Sequence, residues 1–134
     1  MLGKLRKTGG HQPLERLLTT RARRALDLAA QEAAAQGHDR VTGDHLLAGL
    51  ARLDEGVAVI TLNSLGVVLT SGSSADLGRL TALARQEAAE LGHRYVGTEH
   101  LLLGLLRENE AAIPGIGLQQ AREQIVKILH GHHL

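Results

Sequence analysis

Four histidines invite a chemical reading, because His38 and His45 are seven residues apart and so are His93 and His100. Imidazole is a common ligand for zinc and other transition metals. No cysteine is present to complete a coordination sphere, and no dense run of carboxylates accompanies either pair. The pairs therefore read as turn-stabilising or core histidines, and no metal is assigned. His130, His132 and His133 read as part of a frayed tail. Catalytic patterns are missing too. There is no cysteine nucleophile, no Gly-x-Ser-x-Gly elbow and no His-Glu-x-x-His pair, and Ser64, Ser71, Ser73 and Ser74 have no base that the sequence can assign to them. The chain reads as a non-enzyme that needs no cofactor. Two acids remain of interest, Asp44 and Glu99, each immediately before one of the repeated histidines. At a helix start such residues complement the dipole and the open N–H groups without any ligand.

Those residues sit in an internal duplication. Gln31-Glu32-Ala33-Ala34 aligns with Gln86-Glu87-Ala88-Ala89, Gly37-His38 with Gly92-His93, and Asp44-His45-Leu46-Leu47 with Glu99-His100-Leu101-Leu102, always at an offset of 55 residues. Each copy opens on a helical stripe, Ala25, Leu26, Ala29 and Ala33 in the first and Leu80, Leu83, Ala84, Ala88 and Leu91 in the second. Thr19 or Thr20 caps the first of these helices and Asp76 the second, while Gly37 and Gly92 stop them. A short connector follows, then a second helix with Thr42 or Thr98 as cap and Leu46, Leu47, Leu50 or Leu101, Leu102, Leu105 inward. A third helix is expected over Gly56 to Leu65. Its counterpart is cut short by Pro114 and Gly115, and Leu118 to Leu129 closes the second copy with Ile125, Ile128 and Leu129 inward. Residues 1–12 read as a flexible N-terminal segment, 13–130 as the double domain, and 131–134 as a tail. Within the double domain, repeat 1 covers about 20–69, a loop 70–75 and repeat 2 about 76–130. An extra helical turn is expected over Pro13 to Leu18.

Composition sets limits on function. With 134 residues there is room for one core and none for a nucleotide-driven motor, and no Gly-x-x-x-x-Gly-Lys-Ser/Thr loop is present. Phe and Trp are absent and Tyr occurs once, so Leu, Ala, Val and Ile must build the core through close helix contacts. A formal net charge of +1 argues against nucleic acid and membrane as partners. Absence of cysteine and of a signal segment makes the cytoplasm the expected location.

The stretch Leu91-Gly92-His93-Arg94-Tyr95-Val96-Gly97-Thr98-Glu99-His100 through Leu106 closely resembles the amino-terminal domain of the Clp family of AAA+ unfoldases, especially its ClpC branch. The resemblance covers roughly Arg21 to Leu129 and is strongest in the second copy. It implies an all-α, tandem pseudo-twofold fold, here with a shortened second repeat and a shortened inter-repeat connection lacking the helix that closes the first repeat in relatives. It also implies a module that receives degradation substrates, adaptors or Clp components, and modulates Clp-dependent proteolysis. Together with Met1 and the shortened spacing, it reads as a standalone paralogue without ATPase modules. ClpC-type domains also bind phosphoarginine at the Thr-Glu opening the second helix of each repeat, which maps to Thr98 and Glu99 and to Gly43 and Asp44. A carboxylate suits the guanidinium, and helix-start N–H groups with a hydroxyl suit the phosphate. Gly43 lacks the hydroxyl and Asp44 is one methylene shorter, so recognition is expected in the second copy. A decoy that sequesters Clp-targeting peptide antibiotics is the alternative reading.

Overall fold

A computed structural model of the protein describes residues 12–66 and 76–131. The elements are α1 (Leu14–Leu17), α2 (Thr20–Ala35), α3 (Gly43–Leu53), α4 (Val57–Ser64), α5 (Leu77–Glu90), α6 (Thr98–Glu108) and α7 (Leu118–Leu129). Among the described residues there is no strand, only the isolated bridges Leu18↔Val96 and Thr42↔Asp76. No helix among them is long and apolar enough to cross a membrane. The expected flexible N-terminal segment up to residue 11, the loop at 70–75, the absence of a closing helix in the first repeat, and the tail beyond 131 lie outside the described residues.

Each copy is a helical hairpin, α2 with α3 and α5 with α6. Thr19 caps α2 by accepting from the Ala22 N–H at 3.1 Å, and Asp76 caps α5 by accepting from Arg79 at 3.0 Å. Both first helices end alike. Gly37 and Gly92 take φ of 73° and 79°, and the N–H groups of His38 and His93 reach back to the carbonyls of Ala33 and Ala88 at 2.9 and 2.8 Å. A left-handed residue is needed there, and glycine adopts that conformation without a Cβ penalty.

The hairpins close through glycine. A Cβ on Gly49 would stand 2.6 Å from the Ala25 carbonyl oxygen and 2.9 Å from the Ala29 nitrogen. One on Gly104 would strike the Leu80 carbonyl and lie 2.8 Å from the Ala84 nitrogen. Backbone thus meets backbone in both hairpins, which is how a core without Phe or Trp reaches close packing. Leu46, Leu50, Leu101, Leu102, Leu105 and Ile125 fill it.

The copies are bound to each other by more than the core. α4 of the first copy packs on α6 and α7 of the second. Val96 donates to the Leu17 carbonyl at 2.7 Å and its own carbonyl accepts from Thr19 at 3.0 Å. The connector of the second copy is thereby tied to the lead-in of the first, and the Thr42↔Asp76 bridge makes the reciprocal link. Where α4 stands in the first copy, residues 109–117 form turns with no helix, yet Ala112, Ile113 and Ile116 are still buried.

One buried charge lies on the apolar face of α5. Glu87 accepts a paired interaction from Arg122 at 2.9 and 2.7 Å and another from Arg107 at 3.1 Å. Burial alone would raise its carboxyl pKa, but the Arg122 hydrogen bonds and the charges of both arginines hold it below the usual range. In the first copy the equivalent pair, Glu32 with Arg52 at 3.3 Å, is more open, and among the described residues no second arginine joins it.

The repeated histidines lock the connectors. His45 Nδ1 accepts from the Thr42 N–H at 2.9 Å and His100 Nδ1 from Gly97 at 2.9 Å. With Nδ1 accepting, the neutral ring carries its proton on Nε2. That proton points at the partner histidine, His38 Nδ1 or His93 Nδ1, 2.8 Å away in both copies. Burial, with a smaller effect of His93, lowers the His100 pKa to about 4.

Because burial disfavours the charged imidazolium, the folded pKa of His100 lies below the ordinary value of 6.5. Stability from this site is therefore whole above about pH 6.5 and declines as the pH falls, with the loss complete below about pH 4, on the order of 3 kcal/mol. Urea denaturation across that window is expected to show the decline, and His100→Asn, which keeps an acceptor but does not titrate, should flatten it. In the same assay Gly104→Ala should cost about 3 kcal/mol or more, because backbone atoms cannot yield to the added methyl. A wild-type midpoint in that variant would refute the close-approach account.

Candidate functional site

The start of α6 is where the sequence places its strongest candidates. In the observed register Gly97, not Thr98, occupies the N-cap position of α6, and Thr98 is the first residue of the helix. Thr42 and Gly97 are the equivalent positions, so the expectation that Thr98 caps its own helix is corrected. Its hydroxyl is used elsewhere. Thr98 Oγ1 accepts from the Ala58 N–H at 3.1 Å, capping α4 from across the repeat boundary. Gly56 makes this possible, since its φ is 106° and a Cβ there would lie 2.7 Å from Thr98 Oγ1. Two helix N-termini, those of α4 and α6, consequently converge on one hydroxyl.

Glu99 is 3 % exposed. It accepts from the Tyr95 hydroxyl at 3.1 Å, and its carboxylate folds back over Gly97, where a Cβ would collide with it. Tyr95 stacks on His93 with ring centroids 5.1 Å apart and planes 13° from parallel. Burial, helped by the Glu99 charge, pushes the Tyr95 pKa to about 12, so the phenol stays protonated and holds the carboxylate in place.

Thr98, Glu99 and Tyr95 line a cleft of about 580 Å³. Val57, Ile60 and Leu129 give it an apolar wall, and Asp54, Glu55 and Arg21 stand among its lining residues. Ile60 is 42 % exposed, the one exposed large hydrophobic side chain among the described residues. Arg21 and Glu55 pair at 3.5 Å and are both more than half exposed. The cleft thus draws on α2, the α3–α4 turn, α4, the connector before α6, the start of α6 itself, and α7. Sequence reading did not find Arg21, Glu55, Ile60 or Tyr95 as site residues. Nothing local marks them, because they meet only after the two repeats dock.

The first copy does not reproduce this arrangement. Gly43 is buried, and Asp44 lines a separate depression of about 440 Å³ made from Gln36, Gly37, His38, Asp39, Arg40, Thr42 and His45. None of its lining residues among those described is a large aliphatic one. The structure therefore keeps Thr98 and Glu99 together in one cleft and leaves Asp44 at another, which Gly43 does not line.

His93, Glu99 and His100 each offer a potential ligand atom, all within 4.8 Å of one another. The hydrogen bonds argue against coordination by this set. A metal would need His100 Nε2 bare, and that would put a proton on Nδ1, facing the Gly97 N–H donor. The same histidine pair occurs in the first copy at the same 2.8 Å. Both observations support the turn-locking reading.

Comparison with known proteins places the arrangement in a family. The family model of the Clp repeat (R) N-terminal domain matches residues 17–75 and again 70–120. The chaperone protein ClpB of Oceanobacillus iheyensis is 35% identical over 137 residues, and the negative regulator of genetic competence ClpC/MecB of Bacillus subtilis is 35% identical over 136; each alignment covers 83% of this chain and 17% of the relative. The ATP-dependent Clp protease ATP-binding subunit ClpC of Staphylococcus aureus is 34% identical over 137 residues, covering 84% of this chain and 17% of that protein. The chain thus spans about a sixth of the length of these relatives. In fold it is similar to the crystallised N-terminal domain of the caseinolytic protease associated chaperone ClpD from Arabidopsis thaliana, with a TM-score of 0.54 and 21% identity over 90% of this chain and 89% of that one. With two matches of the family model, one on each copy of the duplication, the chain belongs to the Clp N-terminal domain family.

Proposed function

We propose that this chain is a non-catalytic protein-binding module that modulates Clp-dependent proteolysis by holding a substrate, an adaptor or a component of the Clp machine in the cleft at the start of α6. One observation carries the reading. A buried carboxylate, Glu99, and a hydroxyl shared by two helix starts, Thr98, stand in a cleft with an apolar wall. Thr98 Oγ1 is the acceptor for Ala58, which leaves its own proton to donate. Glu99 suits a guanidinium, which it can engage in a charge-assisted pair. The contact group is then an arginine side chain of the partner, and phosphoarginine-marked proteins are the form to which the family resemblance points. Names of the relatives, a chaperone and an ATP-binding subunit of a Clp protease, fit a role in substrate handling.

Isothermal titration with free phosphoarginine and with an arginine-containing peptide tests the site. Glu99→Gln, which keeps an acceptor for Tyr95 and removes the charge, should weaken binding by about tenfold or more, the worth of a charge-assisted hydrogen bond to a buried partner. Asp44→Asn should leave it unchanged. Equal binding by wild type and Glu99→Gln would move the site elsewhere, and a pull-down that enriches no Clp component or protease substrate would remove the assigned role.

A further inference from the structure

Tyr95 lines a second pocket as well as the cleft, one of about 390 Å³. Arg85 on α5, with His93 and Arg94 in the connector before α6, gives it a cationic and polar side. Leu17, Ala88 and Val96 give it an apolar one. Two backbone hydrogen bonds fix these sides to each other, since Val96 donates to Leu17 at 2.7 Å and accepts from Thr19 at 3.0 Å. No carboxylate lines the pocket among the described residues. The acids of α5 and of the α6 start are engaged elsewhere, Glu87 by Arg107 and Arg122, Glu90 by Arg107, and Glu99 by the Tyr95 hydroxyl.

The histidine lock adds a donor of settled direction. His100 gives its Nε2 proton to His93 Nδ1 at 2.8 Å, so the neutral His93 ring carries its own proton on Nε2. That N–H has no hydrogen-bond partner among the described residues, and the exposed Arg94 side chain has neither a hydrogen bond nor an ion pair there. Guanidinium groups donate and cannot accept, so what completes this set is an anion. The first copy lacks it. At the offset of 55 residues Ala30 stands for Arg85 and Asp39 for Arg94, and Asp39 and Asp44 both line the corresponding depression. We propose that the pocket is a second binding site, separate from the cleft, which takes a glutamate side chain from an acidic segment of a partner protein. Its carboxylate meets Arg94, Arg85 and the His93 N–H, and its methylenes lie on Leu17, Ala88 and Val96. A guanidinium matches two carboxylate oxygens side by side, which favours a planar anion.

Fluorescence anisotropy with the full chain tests this. The probes are Ser-Leu-Glu-Leu-Ser and Ser-Leu-Gln-Leu-Ser, each acetylated, amidated and carrying a neutral dye, so that the glutamate is the single charge. The glutamate peptide is expected to bind about fivefold tighter, a modest factor because Arg94 is open to water and salt. Arg94→Ala should remove that advantage and Arg94→Asp, which writes in the first-copy residue, should reverse it. Glu99→Gln should leave it intact. Equal binding of the two peptides, or an unchanged preference in both Arg94 variants, would overturn the proposal and leave the cleft reading standing. A preference lost in Glu99→Gln would overturn it too, by moving the contact to the cleft. Displacement of the peptide by inorganic phosphate at concentrations where acetate does not compete would overturn the assignment of a carboxylate.

Discussion

Backbone-to-backbone contact between paired helices is the constraint on which this structure depends. Gly49 and Gly104 let α3 and α6 approach α2 and α5 so closely that a methyl group would overlap a carbonyl oxygen or an amide nitrogen. A core of small aliphatic side chains has little bulk with which to fill a wider gap, so the approach supplies dispersion contacts that aromatic rings provide elsewhere. It also sets the angle and depth at which the connector between the helices emerges. The histidine pairs then hold that connector by satisfying a backbone N–H at the helix start, and the residues that follow are presented at a defined height above the core.

Symmetry carries the architecture and its loss carries the site. Both copies share the glycine approach, the left-handed helix stop and the histidine pair. They differ where one copy meets the other. Thr98 replaces Gly43 and reaches across to the α4 start, so the second hairpin borrows a wall from the first. Arg122 on α7 completes a buried ion cluster around Glu87, whereas the Glu32–Arg52 pair has no second arginine among the described residues. A buried carboxylate with two guanidinium partners specifies how α5, α6 and α7 assemble, because any other arrangement leaves the charge unpaired in a low-dielectric setting.

Local signals and their limits are visible residue by residue. Gly37 and Gly92, the caps Thr19 and Asp76, and the helical bounds follow from the helical period and from capping chemistry, which act within a few residues of chain. The offset of 55 residues between copies, with its glycines and histidines, made the tandem fold and the family legible. Capping of α6 was read one position late, because Thr98 has the right chemistry for a cap and only the register shows its hydroxyl committed to Ala58. Glu87 also escaped: an acid at a core position has no local sign that two arginines will come to meet it.

By itself the sequence determined two helical hairpins, their stops and starts, and the placing of Thr98 and Glu99 at one helix start, since each of these rests on interactions between neighbours along the chain. Only tertiary structure decided that the helix starts of α4 and α6 converge, that Tyr95 pins Glu99, and that Ile60, Leu129, Arg21 and Glu55 surround them. Those residues are brought together by docking one repeat on the other, and the hydrogen bonds and apolar surfaces that drive docking span separations for which the chain carries no periodic signal.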